Sequence, residues 1–314
     1  MHRTLDGTAA DRIVERLLGG SLTTFFDEYW RRTSLHVVAA APELAGTYGI
    51  ADFVEDTVAV KSVPYRAVGA HDGTRTSTTH GSAAELVAAV EAGSVASIKM
   101  SESWHSARAP ERWEPFRVLF GGLCRAVSML YLSAARSEDV DLFLAGPQSQ
   151  LGTHYDITDG FTVQLSGERV WTVEETLHLD ETLGASRDPH WHPATELTFK
   201  GATREIILHE GDALYVPAYA VHRVTSTGWS VSLSLGLRAF NEIDLVEHLL
   251  ESIRTLRYAD YPPLPSFPHD HGEAHVTAKL ELVRRVRALL AQLEMASIGT
   301  ALAPLELPGT LDVR

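Results

Sequence analysis

The sequence predicts a mainly β protein with helices (α+β): a double-sheet barrel with helical elements before it and helices after it. Three observations carry this. Strands with closely spaced turns crowd the stretch from about 138 to 240. Apolar residues recur at helical spacing on both flanks. Two short segments suited to holding a metal ion, His154-Tyr155-Asp156 and Gly211 to His222, both fall among those strands.

In order, Ala10 to Leu18, Leu22 to Arg32, Ala51 to Val58, Ala83 to Ala92 and Trp113 to Ala135 read as helices. Short strands near Tyr65 to Val68 and Ala96 to Met100 interrupt them. In the barrel, Phe161, Val163 and Leu165 alternate with Thr162, Gln164 and Ser166, the pattern of a half-buried strand. Gly167-Glu168 is the turn, and Val170 to Val173 the return strand of a hairpin. Leu177 to Thr195, with His178, His190 and His192, reads as a polar surface insertion. Glu210-Gly211-Asp212 is a second turn, before the short strand Ala213 to Val216 that Pro217 closes. From Trp229 to Leu237, Ser230, Ser232 and Ser234 alternate with Val231, Leu233 and Leu235, giving one small polar face suited to lining a pocket.

Beyond the barrel, Ile243, Val246, Leu249, Leu250 and Ile253 fit a helix. A Pro-rich loop through Pro262, Pro263, Pro265 and Pro268 follows, with His269 and His271 read as solvated. Helical spacing resumes at Leu280, Val283, Val286 and Leu290. The expected division is a barrel domain with its helical N-terminal part over 1–240 (barrel core about 138–240) and a helical region over 241–314.

Composition bounds the class. At 314 residues, 45% hydrophobic and 22% charged, the chain can bury a large core. A formal net charge of −14 argues against phosphate-backbone binding, so nucleic acid is not expected as the main partner. No apolar run is long enough to span a bilayer and no basic-then-apolar leader is visible, so a cytoplasmic protein is expected. The single cysteine, Cys124, excludes an internal disulfide and fits core packing.

His154 and Asp156 carry the chemistry. Two residues apart, they leave an extended backbone on one face, whereas on a helix they would diverge by about 200°. With His222 they make two imidazoles and one carboxylate, a set that takes three positions of an octahedral metal and leaves the rest open. Open positions on such a set suit non-haem Fe(II) and O2 chemistry.

On these residues the chain resembles the JmjC-domain Fe(II)/2-oxoglutarate oxygenases, in the ribosomal-oxygenase-like branch of the cupin superfamily. The stretches that carry the likeness are Asp141 to Leu144, Gln164 to Trp171, Gly211 to His222 and Ser230 to Leu237, with Phe25 to Arg32 similar to the helix that precedes the family's barrel. The resemblance implies a double-stranded β-helix (jelly-roll, cupin) barrel. It implies Fe(II) held by His154, Asp156 and His222, and 2-oxoglutarate as co-substrate with Arg169 on its distal carboxylate. A guanidinium fork matches a carboxylate two-pronged and keeps its charge.

Asp141 and Ser232 fall at the remaining co-substrate positions, and both depart from the pattern. Many relatives have Asn-x-Tyr where this chain has Asp141-Leu142-Phe143, and Asn or His where it has Ser232. The activity implied is hydroxylation of a C–H bond of an amino-acid side chain in a protein, peptide or free amino acid, with succinate and CO2 as co-products. Helices after the barrel mediate dimerisation in the family, so a homodimer is expected. The winged-helix region that follows there does not fit after the last helix here, and a truncated architecture is expected.

Two other readings stay open: a cupin-type metalloenzyme independent of 2-oxoglutarate (an isomerase or dioxygenase), and a non-catalytic binding protein with a relic site. Arg169 discriminates against the first, which needs no cation there. An intact ligand set discriminates against the second.

Overall fold

The structure is a computed structural model that describes residues 7–59, 65–71, 74–100, 109–128, 139–156, 158–177, 197–237 and Arg284. The chain divides into two compact units, Met1–Val127 with Ala135–Ala239 and Ser128–Ala134 with Phe240–Arg314. The architecture that follows is that of the first. The expected His-rich insertion, the Pro-rich loop and the C-terminal helices lie outside the described residues, Arg284 aside.

Five helices, α1 (Gly7–Leu17), α2 (Leu22–Thr24), α3 (Ile50–Ala59), α4 (Ala83–Glu91) and α5 (Glu114–Ser128), accompany twelve strands among the described residues. Eight strands form a large antiparallel sheet in the order β1-β10-β7-β12-β5-β4-β2-β3. Their ranges are Leu35–Val37 (β1), Tyr65–His71 (β2), Thr74–His80 (β3), Val95–Lys99 (β4), Asp139–Ala145 (β5), Asp159–Ser166 (β7), Ala213–Val216 (β10) and Ser230–Leu237 (β12). A smaller antiparallel sheet, β6-β11-β8-β9, comprises Gln150–His154 (β6), Arg169–Glu174 (β8), Thr203–Leu208 (β9) and His222–Thr225 (β11).

Period-2 alternation sorts the large sheet into two faces. Val140, Leu142 and Leu144 of β5, Phe161, Val163 and Leu165 of β7, and Val231, Leu233 and Leu235 of β12 are all fully buried. They share one core with Ile13 and Leu17 of α1, Phe53 of α3 and Phe116, Leu119 and Leu123 of α5. Each such side chain contributes about 1.5–3 kcal/mol by leaving water. A second core joins Leu214 and Val216 of β10 to Trp171, Val173, Ile206, Leu208 and Val224 of the small sheet. The two sheets therefore pack face to face, and the serine face of β12 turns away from the helices, as its spacing predicts.

The structure shortens one expected helix. Leu22 to Arg32 is a single turn of α-helix followed by a π-helical stretch, Phe25–Tyr29, and it stops before Trp30. Arg31 takes a left-handed conformation (φ 55°), which no helix continues through. The widened turn sets Phe25 4.9 Å from Tyr215 and 5.7 Å from Phe161, and Trp30 stacks on Tyr215 at 5.8 Å. Aromatic packing on the sheet decides where this helix ends. The expected helix from Trp113 likewise begins as a short 3₁₀ turn, Glu111–Trp113, before α5.

Gly167 at the β7–β8 turn has no substitute. Its φ is +66°, and a Cβ there would stand 2.2 Å from the Trp229 carbonyl oxygen. The tight turn this permits starts β8 at Arg169, but the expected hairpin does not form. β7 pairs with β10 and β12 in the large sheet and β8 with β11 and β9 in the small one, so the turn carries the chain from one sheet to the other.

Candidate metal centre

β6 ends at His154, and the chain leaves it through Tyr155 and Asp156. His154 registers with His222, the first residue of β11, and the pairing slips between His222 and Val224. Such a bulge re-aims side chains at a sheet edge. The two imidazoles face each other with centroids 4.3 Å apart at 54°. Asp156 lies against both: Oδ1 is 4.0 Å from His154 Nε2, and Oδ2 is 3.7 Å from His222 Nε2. One candidate ligand atom from each residue falls within 4.8 Å of the others, and among the described residues no further such group of acids, histidines or cysteines forms.

The histidine tautomers follow from the backbone. His154 Nδ1 lies 2.6 Å from the Gly152 carbonyl and His222 Nδ1 lies 2.9 Å from the Ala220 carbonyl. A carbonyl oxygen only accepts, so each Nδ1 carries the proton and each Nε2 lone pair is the ring's ligand atom. Both histidines are buried, at 4% and 3% exposure, whereas the Asp156 side chain is 46% exposed. The carboxylate marks the open side of the cluster. Trp171 stacks on His222 at 5.4 Å and 28°, fixing the ring plane from the barrel side.

Backbone contacts join the two halves. The N–H of Tyr219, itself left-handed (φ 67°), donates to the Asp156 carbonyl at 2.7 Å, and Ala220 N–H donates to the Pro217 carbonyl at 3.1 Å. The Pro217–Val221 loop is thus tied to the segment it faces before it delivers His222.

Arg169, at the start of β8, is 2% exposed. Its Nε donates to Ser230 Oγ across the barrel at 3.2 Å, and Ser230 in turn pairs with Ser226 Oγ at 3.1 Å. Nη2 has no hydrogen-bond partner among the described residues. Burial pushes the guanidinium down to about 10, so it stays charged at neutral pH. No carboxylate among the described residues forms an ion pair with it. A charge taken out of water without a counter-ion is costly, and the arrangement suits an anion from solution. Arg169, Trp171 and Val173 alternate onto one face of β8, and Val173 registers with His222. Arg169 therefore shares the His222 face, about 13 Å further along the strand.

The other two residues singled out from sequence lie on the serine face of the large sheet. Ser232 is fully buried with no partner for its hydroxyl among the described residues, and it registers with Gln164, whose Oε1 is likewise unpartnered. Asp141 is half-buried and registers with Ser234 on one side and Lys99 on the other. The sequence reading missed Trp171, Gln164 and Lys99. An isolated polar or aromatic residue inside a strand gives no cue to which face it occupies until the register is known.

Comparison with known proteins now bears on this arrangement. Residues 123–245, which contain both ligand-bearing segments and Arg169, match the family model of the JmjC domain. The chain is also similar to a curated protein of the mosquito Aedes aegypti, described as bifunctional lysine-specific demethylase and histidyl-hydroxylase NO66. Identity is 22% over 163 residues, covering 48% of this chain and 25% of the mosquito protein. The chain thus spans about a quarter of that relative's length.

Among solved structures, that of YcfD from Escherichia coli, described as a ribosomal oxygenase, superposes with a TM-score of 0.56 at 18% identity, over 93% of this chain and 72% of YcfD. YcfD in complex with cobalt and 2-oxoglutarate gives 0.58 at 19%, over 92% and 72%. At these identities the likeness is one of fold, and it agrees with the predicted jelly-roll, cupin-type barrel of the JmjC domain. Among the described residues no helix is long and apolar enough to cross a membrane.

Proposed function

We propose that this protein is an Fe(II)- and 2-oxoglutarate-dependent oxygenase that hydroxylates a C–H bond of an amino-acid side chain in a protein, peptide or free amino acid. The observation that carries the reading is a pairing of two unusual features on one sheet face. Two imidazoles with protons fixed on Nδ1 converge with a carboxylate, and a buried guanidinium with no counter-ion among the described residues lies on the same face. A metal alone accounts for the first and not for the second. A dicarboxylate that reaches from the metal to Arg169 accounts for both.

In this reading His154 Nε2, His222 Nε2 and Asp156 hold the ion, and Arg169 holds the far carboxylate of 2-oxoglutarate. When bound, iron and co-substrate supply the oxidative chemistry: O2 and 2-oxoglutarate are consumed, succinate and CO2 leave, and one oxygen atom enters the substrate C–H bond. The chain's own residues bind and orient. The Gly152 and Ala220 carbonyls keep both histidines in the ligating tautomer. Trp171 and the apolar residues between the sheets exclude water from the barrel interior. The exposed side of Asp156 is where substrate approaches. No side chain is required as a general acid or base.

The names of the relatives support a protein substrate, since NO66 is described as acting on lysine and histidine residues and YcfD as a ribosomal oxygenase. The apolar spacing of Ile243 to Ile253 and Leu280 to Leu290 supports a homodimer. The test is succinate release from 2-oxoglutarate with Fe(II), against a panel of amino acids and peptides, with mass spectrometry for a gain of one oxygen. Oxygenation of a panel member without 2-oxoglutarate turnover overturns the co-substrate and favours the 2-oxoglutarate-independent metalloenzyme.

A further inference from the structure

Three residues beyond Asp156, at the start of β7, a second aspartate is sealed in the protein. Asp159 is fully buried, and three different segments converge on it. Tyr215 of β10 donates its hydroxyl to Oδ1 at 2.9 Å, and the Ala218 N–H donates to the same oxygen at 3.2 Å. The Arg31 guanidinium donates through Nε to Oδ2 at 3.2 Å. Arg31 also donates its backbone N–H to Tyr215 Oη at 2.9 Å, closing the ring of contacts. The reaction as outlined needs none of these groups.

Their position gives them a use. Ala218 precedes Tyr219, whose N–H grips the Asp156 carbonyl at 2.7 Å, and the same loop delivers His222. Ala220, whose carbonyl fixes the His222 tautomer, lies two residues further on. Asp159 therefore anchors one end of the loop that presents a ligand and braces the segment that presents another. The anchor reaches the left-handed Arg31, just past the π-helical turn, on a side chain 49% exposed to solvent. A buried carboxylate that accepts two neutral donors and one cation has a single low-energy arrangement, so the loop inherits a single position.

We propose that Asp159 is a positioning residue for the metal centre, and that through it the Arg31 segment sets how tightly Asp156 and His222 hold their ion. The inference rests on the metal-binding reading of His154, Asp156 and His222, but not on 2-oxoglutarate or on any substrate.

Cobalt(II) titration of the purified full-length protein, followed by visible absorption, reads affinity and ligand geometry without turnover. Asp159→Asn keeps the shape of the acid and can still accept from Tyr215 and Ala218, but it loses the charge facing Arg31. Partners that orient metal ligands typically contribute about 10–100-fold in affinity. Cobalt is expected to bind Asp159→Asn at least tenfold more weakly, with an altered absorption band.

Asp56→Asn is the control. Asp56 is an equally buried acid that accepts from Tyr48 and Trp113 and pairs with Arg112, far from the metal loop in the network. It should lower the melting temperature while leaving cobalt affinity and spectrum unchanged. Arg31→Gln removes the cation facing Asp159 and Tyr215→Phe removes the hydroxyl between Asp159 and the Arg31 N–H. Each is expected to weaken cobalt binding by a smaller step, which keeps the test alive if Asp159→Asn does not fold. Wild-type cobalt binding in those two variants and in any folded Asp159→Asn overturns the proposal. So does an equal loss in Asp56→Asn, because global stability would then explain it. Failure of the unmodified protein to bind cobalt sinks the metal reading instead, a result distinct from either.

Discussion

Arg169 of the small sheet donates its Nε to Ser230 of the large sheet at 3.2 Å, and that is the one hydrogen bond its buried guanidinium makes among the described residues. A cation so placed gains little from its surroundings. Lowering its pKa from the ordinary arginine value to about 10 corresponds to roughly 3 kcal/mol against the charged state. The folded value lies below the unfolded one, so this penalty is fully present at neutral pH. It is relieved only as pH rises through about 10 toward the ordinary arginine value.

Replacing Arg169 with methionine, which keeps bulk and drops the charge, should therefore raise the melting temperature of the protein without co-substrate. It should also abolish the further rise that 2-oxoglutarate gives the unmodified protein. Differential scanning calorimetry with and without 2-oxoglutarate and metal checks both halves. A stabilising response to 2-oxoglutarate that survives in the variant removes Arg169 from the co-substrate site.

Kinetics give an independent reading of the same residue. Arg169→Ala is expected to leave metal binding nearly intact and raise the apparent KM for 2-oxoglutarate at least about thirtyfold, since deleting one partner of a buried charged pair costs on the order of 2–5 kcal/mol. Arg169→Lys should be milder, keeping the charge and losing the fork.

His154→Ala and Asp156→Ala should each abolish stoichiometric Fe(II) binding, because one ligand of three is lost. The two differ in stability. His154 is buried and donates to Gly152, whereas the Asp156 side chain is half exposed. Isothermal titration with thermal melts should therefore show His154→Ala less stable than Asp156→Ala, with equal loss of metal.

Gly167→Ala should destabilise the fold by on the order of 2 kcal/mol or more, combining a left-handed φ with a clash against the backbone of Trp229. Because Arg169 follows two residues later, the same variant should weaken 2-oxoglutarate more than metal. Chemical denaturation and paired titrations separate the two effects.

Light scattering at micromolar concentration tests the proposed homodimer. Polar substitutions at Leu249 and Leu250, or at Leu289 and Leu290, are expected to shift the protein toward monomer, and a monomeric unmodified protein would count against the proposal.

Much of this protein was determined by the sequence alone. Alternation fixed the faces of β7 and β12, since a one-residue slip would turn Thr162, Gln164, Ser232 and Ser234 toward the helical core in place of Phe161, Val163, Leu233 and Leu235. Spacing alone put His154 and Asp156 on one side of an extended backbone. Turn chemistry at Gly167 and Gly211 marked where strands begin. What periodicity could not reach is anything that depends on who pairs with whom.

The short strands β1, β3 and β9 were not anticipated. Leu35–Val37 is a strand because β10 offers it an edge, and Thr74–His80 because β2 does, not because either segment has a strong pattern of its own. The same tertiary pairing drew β1 to β4 into the large sheet and ended the helix at Tyr29, where aromatic packing on Tyr215 outweighed helical continuation. It also made Asp159 an anchor and Arg169 a buried cation. Burial and counter-charge are properties of neighbours brought together by folding, and residues 31, 159, 169, 215 and 218 become neighbours only when the strands take their register.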